Sequence, residues 1–119
     1  LICLLPLTDE TRGILCRKTL SRLPQGAALI NVARGGHLVE QDLLSLLEEG
    51  HLSGAILDVT EPEPLPADHA FWAHPRILLT PHVASMTRAD SAARALIANI
   101  RRHQNGEVMD GEVPRDRGY

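Results

Sequence analysis

Cysteine is nearly absent from this chain. Cys3 and Cys16 are the two it has, one in a segment that reads as a strand and one at a helix start, so a reduced, cytoplasmic protein without a disulfide framework is expected. No apolar stretch approaches the roughly 20 residues that span a bilayer, and no signal peptide is visible, so a membrane is not expected as a partner. An excess of one charge is missing as well. Twelve Lys and Arg stand against 15 Asp and Glu, a formal net charge of -3, and the basic residues are scattered, which gives no reason to expect nucleic acid as a partner. There are no internal repeats and no low-complexity tracts. The Gly-x-Gly-x-x-Gly turn of a dinucleotide-binding unit is also lacking, because the Gly35-Gly36 pair does not have its spacing. Other chemistries fall away in the same manner. Ser85 lacks a Gly-x-Ser-x-Gly elbow, Cys16 has no nearby histidine to activate it, and His69, His74 and His82 show no recognised metal-ligand spacing, so no metal is expected.

What is present is ordinary for a globular protein: 44% apolar and 23% charged residues in 119, one domain at most, able to bury about two thirds of its unfolded surface. Strand and helix signals alternate. An apolar strand opens the chain at residues 1–6, and a short helix over 17–23 is ended by Pro24 and Gly26. A second strand covers 27–32. Val39, Leu43, Leu46 and Leu47 have helical spacing within 38–49, and Gly50 supplies the stop. A third strand runs over 53–59, an ordered loop dense in proline follows at Pro62, Pro64 and Pro66, and a fourth strand covers 77–80. The last helix, 87–105, carries Ala89, Ala92, Ala93, Leu96, Ile97 and Ile100 on one face, read as core packing, and Gly106 closes it. Residues 107–119 read as an extended tail.

Such alternation predicts an α/β protein with a partial doubly wound parallel sheet, the C-terminal half of a Rossmann dinucleotide-binding domain. The expected boundaries are 1–106 for that half and 107–119 for a tail returning toward a substrate domain. A sheet that begins on its first residue, with no initiator methionine and no turn before it, suggests a segment upstream of Leu1.

Three polar residues lie just beyond strand-like runs: Arg34, Glu63 and His82. Ligands of open α/β sheets bind outside the carboxyl ends of the strands, so these three are expected to converge on one crevice. A guanidinium fork fits a carboxylate, and an imidazole beside a carboxylate moves protons. The glycines after Arg34 let the backbone turn sharply and let a ligand approach the main chain. Pro81 fixes the backbone before His82, and the small residues Ala84 and Ser85 leave room after it.

In order and spacing, four segments resemble the D-2-hydroxyacid dehydrogenase family. They are Leu5-Pro6-Leu7-Thr8 with Thr11, Ile30-Asn31-Val32-Ala33-Arg34-Gly35, Leu57-Asp58-Val59 with Glu63-Pro64-Leu65-Pro66, and Thr80-Pro81-His82-Val83-Ala84. Within the family the likeness is to the glyoxylate/hydroxypyruvate reductases. It rests on Leu4-Leu5-Pro6-Leu7-Thr8, His37-Leu38-Val39-Glu40, Trp72 with His74-Pro75-Arg76, and the ending Arg117-Gly118-Tyr119.

The resemblance implies an oxidoreductase that transfers hydride from NADPH, or else NADH, to a small 2-keto acid, giving the D-2-hydroxy acid. It implies that Arg34 binds the substrate carboxylate and helps polarise the keto oxygen, that His82 is the general acid, and that Glu63 orients the imidazole and favours its charged form. Asp58 is implied to contact the nicotinamide carboxamide, and Pro6, Val32, Ala33, His82, Ala84 and Ser85 to line the cofactor, largely through backbone. One departure is Ser85, where the wider family commonly has glycine. The same likeness places the substrate domain's bulk, the glycine-rich turn and the residue selecting NAD or NADP upstream of Leu1. The chain alone is then expected to be inactive, and an open apolar sheet edge favours a homodimer. The alternative from another class is a non-catalytic dinucleotide-binding regulator of the same fold.

Overall fold

The structure, a computed structural model, describes residues 1–113. The chain divides into two compact units, Leu1–Ala84 and Ser85–Tyr119. In the first unit four strands form one sheet: β1 (Ile2–Cys3), β2 (Ala27–Asn31), β3 (Leu52–Leu57) and β4 (Ile77–Leu79). They pair in the order β1-β2-β3-β4, all parallel. Three short helices connect them, α1 (Arg17–Leu20), α2 (Glu40–Glu48) and α3 (Ala70–Ala73), with a single 3-10 turn at Gly35–His37.

The period of two along the strands decides which side of the sheet is packed. Cys3, Leu29, Asn31, Ala55 and Leu57 point to one face and are buried, and Leu20, Leu43, Leu46, Leu47 and Phe71 from the three helices close over them. Each fully buried leucine contributes about 1.5–3 kcal/mol relative to an exposed one. The opposite face carries Ile2, Ile30, Ile56 and Leu78 in register across all four strands. Ile2, Ile56 and Leu78 are exposed there.

Helix α2 shows how local sequence sets an element. Its buried side chains, Leu43, Leu46 and Leu47, recur at helical spacing. Glu40 and Asp42 place negative charge at the positive end of its dipole. Asp42 also accepts a hydrogen bond from the Arg17 amide at 2.7 Å, which joins the starts of α1 and α2. Gly50 stops the helix in the left-handed region, φ 71°, where glycine carries no Cβ penalty.

The second unit contains α4 (Ala89–Gln104). Asp90 and Arg94 pair at 3.0 Å one turn apart, and Arg101 and Arg102 place positive charge at the C-terminal end. The apolar face read as core packing buries none of its residues. Helical spacing reveals a face, but it does not say what covers it. After α4 the chain turns back rather than running extended as expected: the Asp110 amide donates to Asn99 Oδ1 at 2.9 Å, and Asn99 Nδ2 donates to the Asp110 carbonyl at 2.9 Å. Residues 114–119, with the rest of the expected tail and the Arg117-Gly118-Tyr119 ending, lie outside the described residues.

Candidate active site

All four strands point their carboxyl ends the same way, so the segments that follow them form one crest. Pro6, Val32 with Ala33 and Arg34, Asp58, and Pro81 with His82 stand on it. Two loops of this crest carry the expected chemistry, and each is held from beneath by buried polar groups. Asn31, His37 and Asp58 are the buried polar or charged residues in the described part of the chain, and every one of them serves these loops.

The first loop carries Arg34. Asn31 Nδ2 donates to the Arg34 carbonyl at 3.1 Å, and the Ala33 amide donates to Asn31 Oδ1 at 3.2 Å. The loop can lie where it does because of Gly35: a Cβ there would meet the Thr60 carbonyl carbon at 2.1 Å and its oxygen at 2.2 Å. That contact presses the Arg34 loop directly against the loop that leads to Glu63. The Arg34 side chain is itself exposed, and its Nη1 donates to the Ala33 carbonyl at 2.6 Å.

The second loop carries His82. Its backbone sits in the left-handed region, φ 52°, unusual for a residue with a side chain. Asp58 holds it there. The His82 amide donates to the Asp58 carbonyl at 2.9 Å, the Val83 and Ala84 amides donate to its carboxylate at 2.9 Å each, and the Thr80 hydroxyl donates to Oδ1. Burial pushes the Asp58 carboxyl up, but the Thr80, Ala84 and Val83 donors and the His82 charge outweigh it and hold the group below the usual carboxylate range.

Glu63 completes the pair. Its Oε2 lies 3.0 Å from His82 Nδ1 and its Oε1 accepts from the Thr60 amide at 3.0 Å. The His82 hydrogen bond first, then the Thr60 amide and the charges of His82 and Arg34, hold its carboxyl below the ordinary value, against a smaller effect of burial. His82 Nε2 has no hydrogen-bond partner among the described residues. Both side chains line a cavity of about 570 Å³, with Leu65, Trp72, Leu79 and Pro81 as its apolar wall.

The structure thus brings Glu63 and His82 into contact and sets Arg34 near enough for its charge to act on Glu63, although Arg34 is not part of the cavity lining. Pro6 and Val32 are half-buried at the strand ends, Ala33 and Asp58 are buried, Ala84 is exposed, and Ser85 opens the second unit. His69 and His74 are engaged elsewhere: His69 pairs with Glu40 at 3.1 Å, and His74 Nδ1 accepts from the Arg76 amide. Sequence reading misses Asn31 and His37 as supports. The signal for Asn31 is its place in phase with Leu29, on the inward face of β2; the signal for His37 is weaker, a ring directly after a glycine pair.

Comparison with known proteins gives the family. Residues 1–84 match the model of the D-isomer specific 2-hydroxyacid dehydrogenase, NAD binding domain. The chain belongs to that family. Glyoxylate/hydroxypyruvate reductase A of Klebsiella pneumoniae subsp. pneumoniae is 49% identical over 119 residues, all of this chain and 38% of the relative. The D-isomer specific 2-hydroxyacid dehydrogenase of Xanthobacter autotrophicus Py2, solved with NADPH and MES, is similar at 45% identity and a TM-score of 0.92, over 99% of this chain and 49% of that one. The NADPH-dependent glyoxylate/hydroxypyruvate reductase of Sinorhizobium meliloti, solved with NADP and sulfate, is 39% identical with a TM-score of 0.88, over 99% and 39%. The chain therefore spans 38% of the length of the curated relatives it matches, and its fold is the Rossmann-like parallel α/β arrangement they share.

Proposed function

We propose that this chain is part of an NAD(P)H-dependent reductase that converts a small 2-keto acid, glyoxylate or hydroxypyruvate, into the D-2-hydroxy acid. The observation that carries the reading is the Glu63–His82 pair, with Nδ1 bound at 3.0 Å and Nε2 left for a substrate. The relatives solved with NADPH and NADP favour NADP over NAD.

The residues fit such a cofactor. Asp58 uses three of the roughly four acceptor positions of a carboxylate on Thr80, Val83 and Ala84, which leaves one for a carboxamide N–H. Pro6, Val32, Ala33 and Ala84 present backbone along the same strand ends. The nicotinamide nucleotide, when bound, supplies the hydride. Arg34 swings from its Ala33 contact to hold the substrate carboxylate and polarise the keto oxygen. His82 donates the Nε2 proton to that oxygen, and Glu63 keeps the ring oriented.

We assign residues 1–106 to the C-terminal half of the dinucleotide-binding domain and 107–119 to a segment running toward a substrate domain. The 119-residue chain alone is inactive on this reading, because it carries no Gly-x-Gly-x-x-Gly turn. A cytoplasmic homodimer belongs to the same reading, and the two free cysteines fit a reducing compartment.

The test is a chimera in which this chain replaces the matching segment of the Klebsiella pneumoniae reductase, assayed by NADPH oxidation with glyoxylate and hydroxypyruvate. Turnover that falls about 10²–10⁴-fold in His82→Ala is expected. Unchanged turnover in that variant overturns the role of His82, and dinucleotide binding with no turnover of any 2-keto acid favours the regulator.

A further inference from the structure

We infer that His37 is a positioning residue for Arg34, the buried strut that fixes the carboxylate-binding loop against the end of β1. The inference rests on the reductase reading for what Arg34 binds. His37 is fully buried, where a polar ring is costly unless its nitrogens are engaged. Each faces a backbone carbonyl. Nδ1 lies 3.0 Å from the Arg34 carbonyl and Nε2 lies 3.0 Å from the Pro6 carbonyl, 31 residues away in sequence.

A carbonyl only accepts and a neutral imidazole carries one N–H, so the ring donates to one of the two carbonyls in a given tautomer and to both only when doubly protonated. The His37 amide also reaches the Arg34 carbonyl, at 3.3 Å, and the Leu15 amide donates to the His37 carbonyl at 2.8 Å. Asn31 braces Arg34 too, but from the end of β2, the strand that leads into the loop. Of these buried side chains, His37 alone joins that loop to the strand end bearing Pro6. It therefore sets where the guanidinium starts relative to the β1 end. The Arg34 side chain has no such fixture: its hydrogen bond is to the neighbouring Ala33 carbonyl, so the backbone anchor decides where the fork can reach.

Three variants in the chimera separate this role from simple packing. His37→Leu removes the ring donor whichever carbonyl it serves, His37→Asn is too short to reach the Pro6 carbonyl, and His37→Gln keeps an amide nitrogen with two N–H donors. His37→Leu is expected to raise the KM for hydroxypyruvate and the Kd for oxamate about tenfold, with kcat and the NADPH KM within about twofold. His37→Asn should fall between, and His37→Gln should recover most of the loss. A ring that merely fills space would lower the amount of folded enzyme without moving KM in this order. Wild-type KM and oxamate affinity in the folded variants overturn the inference, as does an equal loss in kcat and in NADPH binding. If His37→Leu does not fold, the Asn and Gln variants decide. Oxamate calorimetry keeps the two readings apart: a chimera that binds oxamate but reduces nothing sinks the reductase, and His37 is then judged on oxamate affinity. A chimera that does neither sinks both.

Discussion

The loop bearing Arg34 and the loop bearing His82 lie at the same edge of one sheet, yet they are built on different principles. The Arg34 loop is held by an amide and an imidazole, Asn31 and His37, and by a glycine that admits a neighbouring backbone. Its functional side chain is left loose. The His82 loop hangs on one ionised, buried carboxylate, and its side chain is fixed as well, by Glu63. A group that must capture a diffusing anion tolerates freedom, whereas a group that must deliver a proton along one line benefits from a preset direction.

The largest effect should come from the glycine. Gly35→Ala would set a methyl group 2.1 Å from the Thr60 carbonyl carbon, and rigid backbone cannot yield as a flexible side chain does. A loss upward of about 3 kcal/mol is expected, at the top of the usual overpacking range, read as the shift of the urea midpoint. A stable Gly35→Ala protein would mean the two loops do not press together and that the Arg34 loop is less constrained than described.

Asp58→Asn comes next. The variant keeps the shape but turns an N–H2 toward amides that also donate, so Val83, Ala84 and the Thr80 hydroxyl cannot all be satisfied. About 2–3 kcal/mol should be lost. The left-handed His82 backbone should relax, seen as faster amide exchange at residues 82–84, with residues 34–38 unaffected. Loss of protection at both loops would erase the contrast between them.

Acid should single out the same carboxylate. The Asp58 carboxyl lies below its ordinary value in the folded protein, so its stabilising effect is complete above the unfolded value of about 4 and fades as pH falls through the depressed folded value. Glu63 acts in the same direction, from an exposed position. Urea midpoints measured from neutral pH down to about 3 should fall less steeply in Asp58→Asn than in the parent chain. Equal slopes would show that Asp58 carries no folded-state shift.

Much of the fold is legible in the order of the amino acids. Apolar runs and alternation place all four strands, and Leu43, Leu46 and Leu47 place α2. The Rossmann-like fold follows from their order, and the relatives share it. The short α3 escapes because four residues carry too little periodicity, and the turn at Gly35–His37 escapes because glycine pairs read as loop. The supports under the site are harder still. Nothing local to Asn31 or His37 reveals that they bond the Arg34 carbonyl, because His37 draws its meaning from Pro6, far away in sequence. Asp58 stands out as a residue of interest, but the implied ligand contact hides the three hydrogen bonds its carboxylate accepts from Thr80, Val83 and Ala84. Long-range polar partners are set by the fold, and a single sequence does not display them.

The smallest predicted effect concerns an exposed tie between the same regions. Arg12 Nη1 meets Glu61 Oε2 at 3.2 Å beside Gly36, with both side chains more than half exposed at 56%. Water screens such a pair and ordering two long side chains opposes it, so Arg12→Ala should cost less than about 1 kcal/mol, and less again in high salt. If chemical unfolding instead shows a loss comparable to Asp58→Asn, the Arg34 loop would also depend on a carboxylate, and the distinction between a loop held by an amide and an imidazole and a loop held by an ionised carboxylate would collapse.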